Sequence, residues 1–270
     1  MSGSPSISEA DTSEVRVASS AGVLTLTLDR PARRNALSTV TMAELIHLIG
    51  RAREDASVRV LVLRGAGKGF CPGDDLSGMG KLPDDFPLPV PADLTHAALQ
   101  RSLRELPKPT IAAIHGFAFG VGLDLAMACD FRIAAADAQL RDQRVMERGM
   151  HAVTGCAWFQ PRAIGVTRAF EFLVLGEPLT GEQAAAAGMV TRSVAADQLD
   201  AQTAELAERL ARAPTRAIGL MKRQIYTGLQ LDHGAFMEFA APLIREVEIK
   251  DREEGINAFL EKRPPNFTGE

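Results

Sequence analysis

An α/β core followed by a helical region is the fold class that this sequence predicts. Three observations support it. Short β-branched apolar runs alternate with amphipathic stretches through the first half of the chain. From about residue 155 onward the periodicity turns helical almost throughout. Glycines gather at the ends of two of the apolar runs, where a strand must give way to a tight turn. Alternation of this kind calls for a sheet covered by helices.

The elements follow in order. Residues 1–13 are Ser-rich and read as a disordered tail, with neither the basic nor the apolar segment of a signal peptide. EVRVAS (14–19) and GVLTLTL (22–28) form a hairpin hinged at Ala21-Gly22. After the turn RPARRN, Ser38 or Thr39 caps a helix whose apolar face is Met42, Leu45, Ile46 and Ile49. VRVLVLRG (58–65) is apolar on both faces, as a buried strand requires. Four prolines in residues 83–91 exclude a helix interior or a central strand, so LPDDFPLPVP reads as a surface loop and a candidate lid. Helices over 92–105 and 121–128 alternate with strands over 110–116 and 131–136. The helical remainder is broken by Gly176, Gly188 and Pro214. The expected divisions are a tail (1–13), an α/β core (14–200) and a helical oligomerisation region (201–270).

Composition narrows the function. The 270 residues are 46% hydrophobic and 24% charged, enough for a sizeable core. A formal net charge of -4 gives no reason to expect nucleic acid or a membrane surface as partner. Cys71, Cys129 and Cys156 are too few and too scattered for a disulfide framework, so buried free thiols in a reducing compartment are expected. His115, Asp124 and Asp130 interrupt the best membrane-span candidate, which suits a soluble cytoplasmic protein.

Two phosphate-binding motifs fail on spacing. GAGKGF has no upstream P-loop glycine, and Gly69 rather than Ser or Thr follows Lys68. Gly120-Val121-Gly122 is followed by Leu125 where a dinucleotide fold needs glycine. A lone Glu44/His47 pair is a helix surface rather than a metal site. The glycine stretches make better sense as a pair, because VLVLRG leads into FCPGDDL and TIAAIHG into FAFGVGLD. Amides freed at such ends can donate to an anionic oxygen, and two from separate strands would form an oxyanion hole.

RPARRNALS, GAGKGFCPGDDLSGM and HGFAFGVGLDLAMACDFRIAA resemble the enoyl-CoA hydratase/isomerase (crotonase) superfamily. ADAQL, WFQPRAIG, AAAAGMV and FLEKRPPNF extend the resemblance over roughly residues 14–267. It implies a spiral of ββα turns, a C-terminal trimerisation region giving a homotrimer or dimer of trimers, and acyl-CoA thioester substrates without a metal or organic cofactor. It places the oxyanion-hole amides at Asp74 and Val121, and an acid–base carboxylate at Asp124. The same Asp124 would otherwise be a helix-capping residue. Substrate contacts are implied at Arg33, Arg34, Ala36, Phe70, Asp75, Leu76, Ser77, Gly120, Phe259 and Lys262.

The chain departs from the family in three places. Asp74 stands where alanine is common, and its carboxylate is expected to point away from the enolate. Val121 stands where glycine is common. The family's second carboxylate falls on Val145, or on Arg144 if the loop shifts by one, and neither can act as a carboxylate. Glu147 is nearby in sequence, and His151 is a reserve proton carrier. A single aspartate suits double-bond isomerisation better than addition of water, which needs two groups. The alternatives are an acyl-CoA-binding protein without turnover, or a decarboxylase or thioester hydrolase on the same fold.

Overall fold

The computed structural model describes residues 14–77, 91, 94–152, 154–246 and 248–270. The Ser-rich tail and nearly all of the proline-rich stretch lie outside the described residues.

A six-stranded sheet forms the centre. Its strands are β1 (Val15–Ser20), β2 (Val23–Leu28), β3 (Val60–Gly65), β4 (Thr110–Ile114), β6 (Phe131–Ala135) and β9 (Arg192–Val194). Their order is β1-β2-β3-β4-β6-β9; β1 and β2 are antiparallel and the remaining pairs parallel. The hairpin turns at Ala21 and Gly22, with φ of 49° and 82°. Two successive left-handed residues match the twist of the strands they join. Leu24, Leu26 and Leu28 of β2 are fully buried, and residues 60–63 of β3 and all of β4 are buried on both faces, as central parallel strands are.

A second, three-stranded sheet is made of β5 (Phe117–Phe119), β7 (Gln139–Arg141) and β8 (Leu179–Thr180), in the order β5-β7-β8. Periodicity does not reveal these strands, since two or three residues carry no alternation to read. For the same reason β8 and β9 interrupt a region that the sequence pattern reads as helical.

Helix α1 (Thr39–Glu54) is capped by Ser38, whose side chain accepts from the Thr41 amide at 3.0 Å. Its buried face carries Met42, Leu45 and Ile49 as expected, with Ile46 partly buried against the core. Helix α2 (Thr95–Glu105) turns Leu99 and Leu103 inward and packs beside α1. Next come α3 (Val121–Met127), α4 (Arg144–Arg148), α5 (Cys156–Ile164), α6 (Val166–Leu175) and α7 (Gly181–Ala186). Helix α8 (Leu199–Ala211) packs Leu206 and Ala207 into the core over β3, β4 and β6. Helices α9 (Thr215–Gly228), α10 (His233–Glu246) and α11 (Asp251–Glu261) complete the chain. They leave Met221, Ile225, Met237, Ile244 and Phe259 exposed. All three cysteines are free and buried. No helix among the described residues is long and apolar enough to cross a membrane.

Candidate active site

The two glycine stretches meet. Beyond β3 the chain runs beside β5: the Phe70 amide donates to His115 and Phe117 carbonyls, Cys71 to Phe117, and Phe119 to the Cys71 carbonyl at 2.9 Å. The approach is too close for side chains. A Cβ on Gly116 would lie 2.0 Å from the Lys68 carbonyl oxygen, and one on Gly122 2.4 Å from that of Cys71. Bare main chain here therefore locks two loops together.

That contact brings the Gly73-Asp74 bend against the start of α3. Leu37 donates to the Gly73 carbonyl at 2.8 Å and accepts from the Asp75 amide at 2.9 Å. In this parallel bridge the intervening Asp74 N–H points away from Leu37. Gly73, at φ 103°, faces the start of α3: a Cβ on it would lie 3.4 Å from the Val121 nitrogen. Val121 opens α3, so its amide has no acceptor within the helix. Neither the Asp74 nor the Val121 amide has a hydrogen-bond acceptor among the described residues. The Asp74 carboxylate is held by His96 of α2, its Oδ1 lying 2.7 Å from Nε2.

Asp124, on α3, is fully buried. It does not cap its helix, because its Oδ2 turns to Arg144 and Thr154 instead. Arg144 approaches with Nη1 and Nη2, both at 3.2 Å, and the Thr154 hydroxyl also donates. Arg144 simultaneously grips Asp142, with Nε at 2.9 Å from Oδ1 and Nη2 on Oδ2. Asp124 Oδ1 is buried and has no hydrogen-bond partner among the described residues. Burial pushes the Asp124 carboxyl up to about 6, against the pull of Arg144 and Thr154, and the nearby Asp142 charge adds to the rise. Burial also opposes the Arg144 charge, but hydrogen bonds to Asp142 and the two carboxylates outweigh it and hold the guanidinium ionised.

Of the two positions on which the family's second carboxylate falls, Arg144 is buried while Val145 is 37% exposed. Glu147 is half exposed and ion-paired with Arg141, and it makes no contact with Asp124. His151 is exposed. Sequence reading brought Arg144 forward only as an alternative register and missed Asp142 and Thr154. The residues Asp-Gln-Arg carry no pattern that announces an ion pair with a helix twenty positions upstream.

Several expected substrate contacts gather around the amides. Arg30 reaches the Ala36 carbonyl and pairs with Asp75 at 3.0 Å. The Ser77 hydroxyl donates to Asp75 at 2.7 Å, Leu76 is exposed beside them, and Phe70 is fully buried beneath. Hydrogen bonds to Ser77 and the Arg30 charge hold the Asp75 carboxyl below its usual range. Gly120 adopts φ 50° immediately before Val121. Arg33 and Arg34 are exposed on a short turn that Asn35 pins to the glycine loop through the Ala66 and Gly69 carbonyls, at 2.7 and 2.9 Å. Phe259 and Lys262 stand exposed at the end of α11. No cluster of His, Cys, Asp and Glu among the described residues is arranged to hold a metal ion.

The enoyl-CoA hydratase/isomerase family model matches residues 18–270. The chain belongs to that family. It is 35% identical to the 1,2-epoxyphenylacetyl-CoA isomerase of Escherichia coli, over 92% of this chain and 95% of that protein. Human enoyl-CoA hydratase domain-containing protein 2, mitochondrial, is 35% identical over 92% of this chain and 86% of its own. The crystal structure of an enoyl-CoA hydratase from Bacillus anthracis superimposes with a TM-score of 0.85 at 32% identity, covering 95% of this chain and all of that one. The architecture described above is thus the crotonase fold.

Proposed function

We propose that this protein isomerises a carbon–carbon double bond in an acyl-CoA thioester, with the amides of Asp74 and Val121 as oxyanion hole and Asp124 as the proton carrier. The reading is supported by two acceptor-free amides, one of them opening the helix that carries the buried Asp124, whose carboxyl burial raises to about 6. Removing the proton next to a thioester moves charge onto its oxygen. Two fixed N–H donors stabilise that oxygen by roughly 3 kcal/mol each.

The proton balance needs only one group. Asp124, ionised, takes the proton from one carbon of the acyl chain as the enolate forms. The same carboxyl returns it to a carbon two positions along, and the double bond moves. The Oδ1 atom, which has no hydrogen-bond partner among the described residues, is the natural acceptor, while Arg144 and Thr154 hold Oδ2 and fix the carboxyl plane. Hydration would need a second group to hold and deprotonate water. Arg144 cannot take a proton at any ordinary pH.

CoA recognition is assigned to Arg33 and Arg34, and to Phe259 and Lys262 from a neighbouring subunit. The apolar side chains left exposed on α9–α11 support assembly into a trimer or a dimer of trimers, and no cofactor is required. Steady-state assays test the reading with 3-enoyl-CoA and 2-enoyl-CoA substrates, in the native protein and in Asp124→Asn. Isomerisation should exceed hydration, and the variant should bind thioesters while losing roughly 10²–10⁴-fold in turnover. Hydration that survives Asp124→Asn would move the chemistry to another residue, and tight binding without turnover in the native protein would establish a non-catalytic acyl-CoA binder.

A further inference from the structure

A cleft of about 1050 Å³ opens between α2, α5 and α9, lined among others by Arg104, Trp158 and Tyr226. Two aromatic rings pack against Arg104 there. Its guanidinium carbon lies 4.0 Å from the centre of the Trp158 ring and 4.2 Å from that of Tyr226. Burial lowers its pKa, and it has no ion pair or hydrogen bond among the described residues. Stacking on aromatic faces leaves a guanidinium its in-plane N–H fork, the part that recognises carboxylate and phosphate.

The rest of the cleft has the same bias. Arg53, Arg101, Arg216 and Arg223 also line it and have no ion pair among the described residues. Its two acidic residues are Glu105 and Glu270, and the second is already paired with Lys250. The two lysines are committed elsewhere: Lys108 donates to the Ala52 and Asp55 carbonyls, and Lys222 pairs with Asp130 at 2.8 Å. Between the cations the walls are apolar, from Leu106, Leu220 and Phe159. Excess positive charge beside aromatic and aliphatic walls fits an amphiphilic anion.

We propose that this cleft binds a small organic anion, a phosphate or carboxylate carried on a flat apolar body, with Arg104 as its anchor. Asp74, Val121 and Asp124 do not line this cleft, and its occupancy needs no thioester chemistry.

Trp158 is the only tryptophan of the chain, so its fluorescence reports on the stack directly. The full-length protein, in its native assembly, is titrated with phenyl phosphate and in parallel with inorganic phosphate, with calorimetry to confirm each affinity. Saturable binding is expected, tighter for phenyl phosphate than for the inorganic ion. Arg104→Met should weaken it by at least about tenfold, the loss of one charge-assisted contact, and Arg104→Lys should fall between. Arg162→Met is the control for folding and for the environment of the indole: Arg162 lies 4.1 Å from the same ring but does not line the cleft. That variant should bind normally. Absence of saturable binding, equal affinity in Arg104→Met, or an equal loss in Arg162→Met would overturn the proposal.

Discussion

Asp142→Asn is expected to move the acid limb of the pH–rate profile downward, although Asp142 touches no reacting atom in the mechanism. In the native protein one guanidinium serves two buried carboxylates, and Asp124 is pushed up to about 6, chiefly by burial, with Asp142 adding to the rise. Asparagine keeps an acceptor oxygen for Arg144 but removes the second negative charge. The two carboxylates flank one guanidinium, so they lie about 6 Å apart. At an effective dielectric of about 20 their repulsion is at most about 3 kcal/mol, or roughly two pKa units. The shift should be a fraction of that bound, since burial supplies most of the rise and the Asp142 charge the smallest part of it. The sign is fixed: Asp124 must be ionised to accept a proton, so lowering its pKa extends activity to more acidic pH. The assay is kcat/KM for double-bond isomerisation between about pH 4.5 and 8, where the rising limb reports the free enzyme's base. Arg144→Met should move the limb the other way. A limb unmoved in Asp142→Asn, or moved upward, would refute the coupling of the two carboxylates through Arg144.

The same burial makes a stability prediction. Asp124 has a folded pKa of about 6 against 3.8 for the free side chain, so its charge opposes folding, and stability is lost as pH rises through that interval. Asp124→Asn should therefore gain stability relative to the native protein as pH rises from about 4 to about 7.5; an unchanged difference across that range, read by circular dichroism melts, would contradict the linkage. Gly122→Ala should destabilise by about 1–3 kcal/mol or more, because its Cβ would fall 2.4 Å from the Cys71 carbonyl, as chemical denaturation would record. Lys262→Ala should weaken CoA binding and reduce its sensitivity to salt, measured by calorimetry at two ionic strengths. Light scattering should find a trimer or a multiple of it, and a monomer at micromolar concentration would remove the assembly assignment.

The parts of the fold legible in sequence are those with a period to read. β1 to β4 announce themselves by alternation or by continuous apolar runs, and α1 by its spaced apolar face and by Ser38. β5, β7, β8 and β9 are two or three residues long and exist only because partner strands lie beside them. The meeting of the glycine loops was also legible, since glycines after two apolar strands imply close backbone approach, and the Gly116 and Gly122 contacts supply the reason. The buried ion-pair network was not. Arg144 contacts Asp124 across twenty residues and Thr154 across ten, and an arginine that is exposed in most sequences gives no hint that a fold will bury it. Glu147, chosen for nearness in sequence, lies three residues from Arg144 on the same short helix and bonds instead to Arg141.

The central claim is that Asp124 exchanges a proton with carbon while the Asp74 and Val121 amides hold the enolate. It is tested most directly by following hydrogen exchange into deuterated water at the carbon beside the thioester of a saturated acyl-CoA. That reaction needs enolate formation and a single proton carrier, and no double bond, water addition or second carboxylate. Exchange at a readily measured rate in the native protein, reduced at least about a hundredfold in Asp124→Asn with thioester affinity retained, is the predicted result. Exchange that continues undiminished in Asp124→Asn would contradict the account.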